Sequence, residues 1–228
     1  MTERVIIGLE AHDGTGKTET SLELLKLFGG ERYWVKDELK KERREILQAG
    51  FDEKCKNMDD SYRIESQNIL AMDTNFVVMD RTWASHAAER YYEAKSKDLT
   101  PPYQDENWPD GILKPNITFQ LKIPDDIRVK RVLERAEERD EELSPRDNKL
   151  NEDSDYRRLL EIARNKLGCI AFFLRERDPL VASLRAAQVI LGSDNCPPMK
   201  VNLDHLNEDV HRKPGFFGKL TSRLCRLE

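Results

Sequence analysis

Residues 10 to 19 of this 228-residue chain read EAHDGTGKTE, and their spacing suits one kind of chemistry, the holding of linked phosphates. Gly14 and Gly16 let the backbone come close to an anion, Lys17 supplies a charge for the outer phosphates, and Thr18 offers a hydroxyl to Mg²⁺. The loop lies between an apolar run, VIIGL, and an amphipathic one, SLELLKLF, so it joins a strand to a helix N-terminus. Unpaired amides and the helix dipole both favour negative charge there. His12, Asp13, Gly14, Thr15, Gly16, Lys17, Thr18 and Glu19 are therefore the expected phosphate contacts. Ala11 stands where such loops begin with Gly, and a positive φ at that position would cost on the order of 1 kcal/mol. A second acid comes from FVVMDR: Asp80, ending an apolar run, can face a metal, and Arg81 can clamp a phosphate bidentately. The plainer alternative is that Asp80 caps the helix after it.

These residues need a parallel sheet to carry them. RVIIGL, RYWVK, FVVMD and ITFQLKI read as strands. TETSLELLKLF, closed by Gly29 and Gly30, reads as a helix, as do DELKKERREILQAG, SYRIESQNILAM and RTWASHAAERYYEA. KDLTPPYQDENWPDG reads as an exposed excursion, and Pro124 opens a charged helix reaching about Arg139. EELSPRDNKLNEDSD breaks the pattern, a helix resumes at Tyr156, and VASLRAAQVIL fits a helix, a strand or one after the other. Strands alternating with helices, without an internal repeat, indicate one α/β domain.

Composition excludes several functions. A net charge of −5 disfavours nucleic acid as the main partner while leaving room for a local basic groove. The four cysteines, at 55, 169, 196 and 225, form no CxxC pair, so neither a disulfide framework nor a zinc site is expected and the setting is a reduced cytoplasm. No apolar run reaches spanning length, and Glu3 and Arg4 run straight into the first strand, so neither a membrane span nor a signal peptide is expected.

Together the motifs resemble the thymidylate kinase family of nucleoside monophosphate kinases. EAHDGTGKT matches that family's loop at Glu10, Asp13, Gly14, Gly16, Lys17 and Thr18, and Asp80, Arg81 and Thr82 stand at its Asp-Arg-Tyr element. PNITFQL is similar to a later strand, VKRVLERAEER to the lid helix, and VNLDHLNEDVHRK to the closing strand and helix. The resemblance implies a P-loop NTPase three-layer α/β sandwich: a parallel five-stranded sheet, helices on both faces and a helical lid. It implies one kinase domain over 1–213, with the lid at about 134–152, an insertion at about 165–198 and a basic amphipathic tail at 214–228.

The activity it implies is Mg²⁺-dependent transfer of the γ-phosphoryl group of ATP to a deoxynucleoside 5′-monophosphate, foremost a dTMP-like pyrimidine. Lys17 would then stabilise the moving phosphoryl, Thr18 and Asp80 hold Mg²⁺, Arg81 hold the acceptor phosphate, and Asp13 touch the sugar 3′-hydroxyl. In this family a Gly at position 14 goes with lid arginines that act in the transition state; Arg131, Arg135, Arg139 and Arg146 are candidates, Arg135 and Arg146 preferred. Solvated i,i+4 pairing is the alternative for each. VKDELKKE replaces the family's Arg-Glu-Pro-Gly segment, which leaves Lys36 for the acceptor phosphate. Arg63 and Gln67, one turn on, would read the base, with Tyr62 or Trp83 either stacking on it or packing in the core; Glu89 stands where the family has a Tyr that rejects a ribose.

Alternatives to this activity are a kinase for a modified pyrimidine or for a nucleotide within DNA, and a nucleotide-binding regulator without turnover. Partners are expected to be small-molecule nucleotides and a second copy in a homodimer. The apolar stretch 165–198 either forms that surface or extends the core, and the tail packs on its own domain or binds a membrane or partner.

Overall fold

The computed structural model describes residues 4–103, 107–173, 179–197 and 199–202; the expected closing helix and the basic tail lie outside them. Five strands form one sheet: β1 (Val5–Glu10), β2 (Glu31–Tyr33), β3 (Phe76–Asp80), β4 (Ile117–Lys122) and β5 (Ile170–Phe173). Their order is β2-β3-β1-β4-β5 and every pairing is parallel. The helices are α1 (Lys17–Phe28), α2 (Asp37–Ile46), α3 (Phe51–Leu70), α4 (Trp83–Ser96), α5 (Asp125–Arg139), α6 (Pro145–Glu152), α7 (Ser154–Lys166) and α8 (Pro179–Leu191).

A strand's two-residue period sorts β1 between two cores. Val5, Ile7 and Leu9 meet Phe76, Val78, Phe119 and Leu121 on the face covered by α1 and α8. Ile6 joins Tyr33, Val77 and Met79 against Ile69 of α3 on the other face. Burying each large apolar side chain contributes roughly 1.5–3 kcal/mol, which secures β1 at the centre of the sheet. From β1 the chain winds first to β2 and β3 on one side and then to β4 and β5 on the other. That reversal leaves a crevice at the carboxyl ends of the strands, where open parallel sheets bind ligands.

Several elements differ from their expected form. The second strand is only Glu31–Tyr33, and α3 begins at Phe51, ten residues earlier than the periodicity suggested. The apparent break after α5 contains a helix: Ser144 accepts a hydrogen bond from the Asp147 amide at 3.1 Å, with Pro145 next to it as a pre-shaped first residue. Asp153 caps α7 in the same way, accepting from Tyr156 at 2.8 Å. The described part of the Pro-rich excursion is mostly exposed, as expected, but its Tyr103 and Trp108 pack on buried Trp83 with ring centroids 4.6 and 5.2 Å away. Between 165 and 191 the chain extends the core: β5 is the fifth strand, and Leu180, Leu184 and Ala187 of α8 pack against Leu27 of α1. Among the described residues, no helix is long and apolar enough to cross a membrane.

Candidate active site

Gly14 and Gly16 have φ of 85° and 90°, a region costly for any residue with a Cβ. At Gly14 a Cβ would lie 2.7 Å from the Arg128 carbonyl and 2.9 Å from Val132, so the loop presses directly on α5. Thr15 pins it from inside, its hydroxyl donating to the His12 carbonyl at 2.7 Å. Gly16 is the N-cap of α1, whose first-turn amides have no intrahelical acceptor and open toward the crevice side of the sheet. Ala11 is fully buried and is not among the residues with positive φ, so the methyl group at the loop's entrance carries no conformational penalty.

The loop forms one wall of an open cleft of about 1070 Å³. Nine basic residues line that cleft against five acidic ones, in a chain whose net charge is −5. The basic excess is therefore concentrated where a polyanion would lie. At its centre is the Asp13 carboxylate. Oδ1 accepts from Arg81 Nη2 at 2.8 Å and lies 3.7 Å from Lys17 Nζ, while Oδ2 lies 3.6 Å from Arg146 Nη1. One carboxylate thus gathers a cation from the loop, one from the end of β3 and one from the lid. Burial pushes its pKa up, but the Arg81, Lys17 and Arg146 charges outweigh burial and hold it well below the usual carboxylate range. Lys17 is nearly buried; desolvation and then the Arg81 charge pull its ammonium down to about 8, against the opposing pull of Asp13, Asp80 and Glu10.

Arg81 reaches Asp13 from a left-handed backbone, φ 71°, with its amide donating to the Leu9 carbonyl at 3.0 Å. Such a conformation costs about 1–3 kcal/mol in a residue with a side chain and persists when surrounding contacts over-determine it. The next helix is capped by Thr82, whose hydroxyl accepts from the Ala84 amide at 3.2 Å, so Asp80 is not its cap. Thr82 is in turn held by buried Glu10, which accepts from its hydroxyl at 2.7 Å and also from Ser85. Beneath the loop, burial pulls the His12 imidazole down to about 4, despite Glu161 at 3.6 Å.

The lid is tied at its base and open at its tip. Arg128 of α5 and Arg157 of α7 both donate to the Leu150 carbonyl of α6, at 2.9 and 2.6 Å. Arg146 then reaches back from α6, donating to Glu89 at 3.0 Å, and Glu89 also accepts from Tyr156. Arg135 and Arg139 are exposed and line the cleft, and Arg131 donates to the Gly14 carbonyl at 3.3 Å.

The residues expected to hold an acceptor lie elsewhere than expected. Lys36 is exposed and donates to Asn68 at 3.3 Å. Arg63 pairs with Asp60 and donates to the Asp110 carbonyl at 2.9 Å, while Gln67 is exposed; none of the three lines the cleft. The reason is helical register, because α3 turns Met58, Tyr62, Glu65 and Ile69 inward and leaves the 63/67 stripe beside them. Trp83 is core, donating from Nε1 to Asp59 at 2.7 Å. In place of these residues α2 delivers Lys40, Arg43 and Arg44 to the cleft. Arg43 lies 3.9 Å over the Tyr62 ring, donates to Ser61 at 2.9 Å and pairs with buried Glu65. The sequence does hold a signal for it: Leu39, Arg43 and Ile46 fall on one helical stripe, and both apolar members are buried.

Thr18 and Asp80, the expected metal ligands, are bridged by a residue the motifs did not indicate. Arg32 Nη2 donates to Thr18 Oγ1 at 3.2 Å and to Asp80 Oδ2. The hydroxyl and carboxylate are hard oxygen donors suited to Mg²⁺, and the buried Asp80 Oδ1 lacks a hydrogen-bond partner, so the pair fits such an ion.

No protein-family model matches the sequence, and no curated protein does. Solved structures do. The chain is similar to a thymidylate kinase from Candida albicans, with a TM-score of 0.57 at 14% identity over 87% of this chain and 98% of that one. The fold is that of the P-loop NTPases. A deoxyadenosine kinase from M. mycoides, solved with dCMP and dCDP as products, gives 0.52 at 14% identity over 80% of this chain and 97% of that one. The same enzyme with dCTP gives 0.51 at 13%, covering 82% and 100%. The resemblance seen in the loop and in the Asp-Arg element thus holds for the three-dimensional fold.

Proposed function

We propose that this protein is a phosphotransferase that moves the γ-phosphoryl group of ATP to the 5′-phosphate of a deoxynucleotide, with a pyrimidine such as dTMP as the first acceptor to test. The observation that carries the reading is the convergence of Lys17, Arg81 and Arg146 on Asp13, at the junction of phosphate loop, strand end and lid. Phosphoryl transfer asks for in-line positioning and for cancellation of charge spread over phosphate oxygens, and little else. Lys17 and the amides of α1 meet the donor phosphates, with Arg135 and Arg146 closing over them. Arg81 turns to the acceptor phosphate and Asp13 to the acceptor sugar. A second basic wall, Lys40, Arg43 and Arg44, favours an acceptor that already carries a phosphate over a bare nucleoside. This reading rests the acceptor side on Arg43, with Tyr62 behind it, in place of Lys36, Arg63 and Gln67. Mg²⁺ held by Thr18 and Asp80 would supply further charge neutralisation on the donor phosphates.

Coupled ADP release measured with ATP, magnesium and each common nucleoside and deoxynucleoside monophosphate tests the proposal. Strong release with one monophosphate is the expected result. Tight ATP binding without acceptor-dependent turnover would instead favour a regulatory nucleotide-binding protein, and no ATP binding at all would overturn both.

A further inference from the structure

Arg32 lies on the face of β2 opposite the buried Tyr33, and its side chain is only 3% exposed. Its Cζ sits 3.6 Å over the ring of Trp34, which lines the cleft and is 57% exposed. One nitrogen, Nη2, bridges Thr18 and Asp80, while Nε and Nη1 are buried without hydrogen-bond partners. A guanidinium has five N–H donors, and burying most of them unpaired is costly. The arrangement compensates the charge of Asp80 but satisfies Arg32 poorly. The same two oxygen-bearing groups are those a divalent cation would use on the donor side, and two cations cannot share them without strong repulsion.

We propose that Arg32 is the resident counter-cation of the donor site: a divalent cation arriving with its nucleotide displaces the guanidinium from Thr18 and Asp80, and the stacked Trp34 registers the exchange. This rests on the donor-site reading above. Its consequence is that metal loading at one wall of the cleft loosens a side chain at the mouth of the other, since Trp34 follows directly on β2 and borders the α2 wall.

The test uses the full chain with ADP held constant and magnesium titrated, followed by calorimetry and by tryptophan fluorescence. Magnesium is expected to change the fluorescence of the unaltered protein. That change should vanish in Trp34→Phe, which separates it from Trp83 and Trp108. In Arg32→Met the half-saturating magnesium concentration should fall by about tenfold, as a competing ion pair has been removed, with no fluorescence response left. Should Arg32→Met fail to fold, Arg32→Lys, whose single ammonium bridges both groups poorly, should lower the midpoint by about threefold. A midpoint that stays in place or rises in the folded variant overturns the proposal while ADP binding keeps the donor-site reading intact. If the unaltered protein binds no ADP at any magnesium level, both fall together.

Discussion

The proposed donor wall of the cleft is made of backbone, with two glycines at positive φ and the open amides of α1. The proposed acceptor wall is made of side chains, with Arg43 stacked on Tyr62 and bound to Ser61 and Glu65, flanked by exposed Lys40 and Arg44. The first kind of wall is specified by a few adjacent residues, because conformation and anion affinity come from the same loop. The second depends on which stripe of α2 and α3 faces inward. That difference teaches why the loop wall of the cleft could be read from a short motif and the α2 wall could not.

The comparison can be broken first at Lys17. Lys17→Ala is expected to cut turnover by roughly a thousandfold or more in the coupled ADP assay, with the circular dichroism spectrum unchanged, since it removes charge stabilisation and little packing. Turnover within tenfold of the unaltered protein would detach the loop from the chemistry.

Gly14→Ala probes whether the donor wall really depends on backbone shape. Positive φ and the 2.7 Å approach to the Arg128 carbonyl predict a loss of about 1–3 kcal/mol in urea unfolding, together with weaker ADP binding as α5 is pushed outward. Unchanged stability would mean that the loop relaxes freely.

Acid sensitivity measures the cost of the polar floor under that wall. His12 is pulled down to about 4 and His86, also by burial, well below its ordinary value, so the folded protein binds fewer protons than the unfolded chain between about pH 4 and 6.5. Stability therefore falls as pH drops through that window. For His12 alone the loss from pH 7 to pH 5 is about 2 kcal/mol. Glu161, held down to about 2, loses its own contribution as pH falls from the ordinary carboxylate value of 4.5 toward 2, in the same direction, and so adds little between pH 7 and pH 5. Urea midpoints at the two pH values, with His12→Asn showing a shallower drop, check it.

The smallest effect sharpens the acceptor wall. Arg43→Ala should raise the acceptor KM by about tenfold, the scale of one charged hydrogen bond, whereas Arg63→Ala should change it by less than about twofold. The reverse ranking, read from initial rates at saturating ATP, would return the acceptor to the outer stripe of α3.

Much of the frame was legible. The apolar runs ending in Glu10 and Asp80 marked central strands by their continuous burial, and the glycine-spaced loop between strand and helix marked one wall of the cleft, because its conformation is set within a few residues. The short helix α6 was missed although its Ser-Pro start was in view, and the packing of Tyr103 and Trp108 within the otherwise exposed Pro-rich excursion was not legible because their partners lie on distant helices.

From the sequence alone came the phosphate loop, its lysine and hydroxyl, the paired acid and arginine, and the alternation of strands with helices. Only the tertiary structure decided that Ala11 is conformationally harmless, that Arg32 occupies the pair of groups suited to a metal, and that Arg43 rather than Arg63 faces the cleft. Local periodicity specifies that a helix has an inward stripe, but which charged neighbour of that stripe meets a ligand is set by helix rotation and by partners tens of residues away.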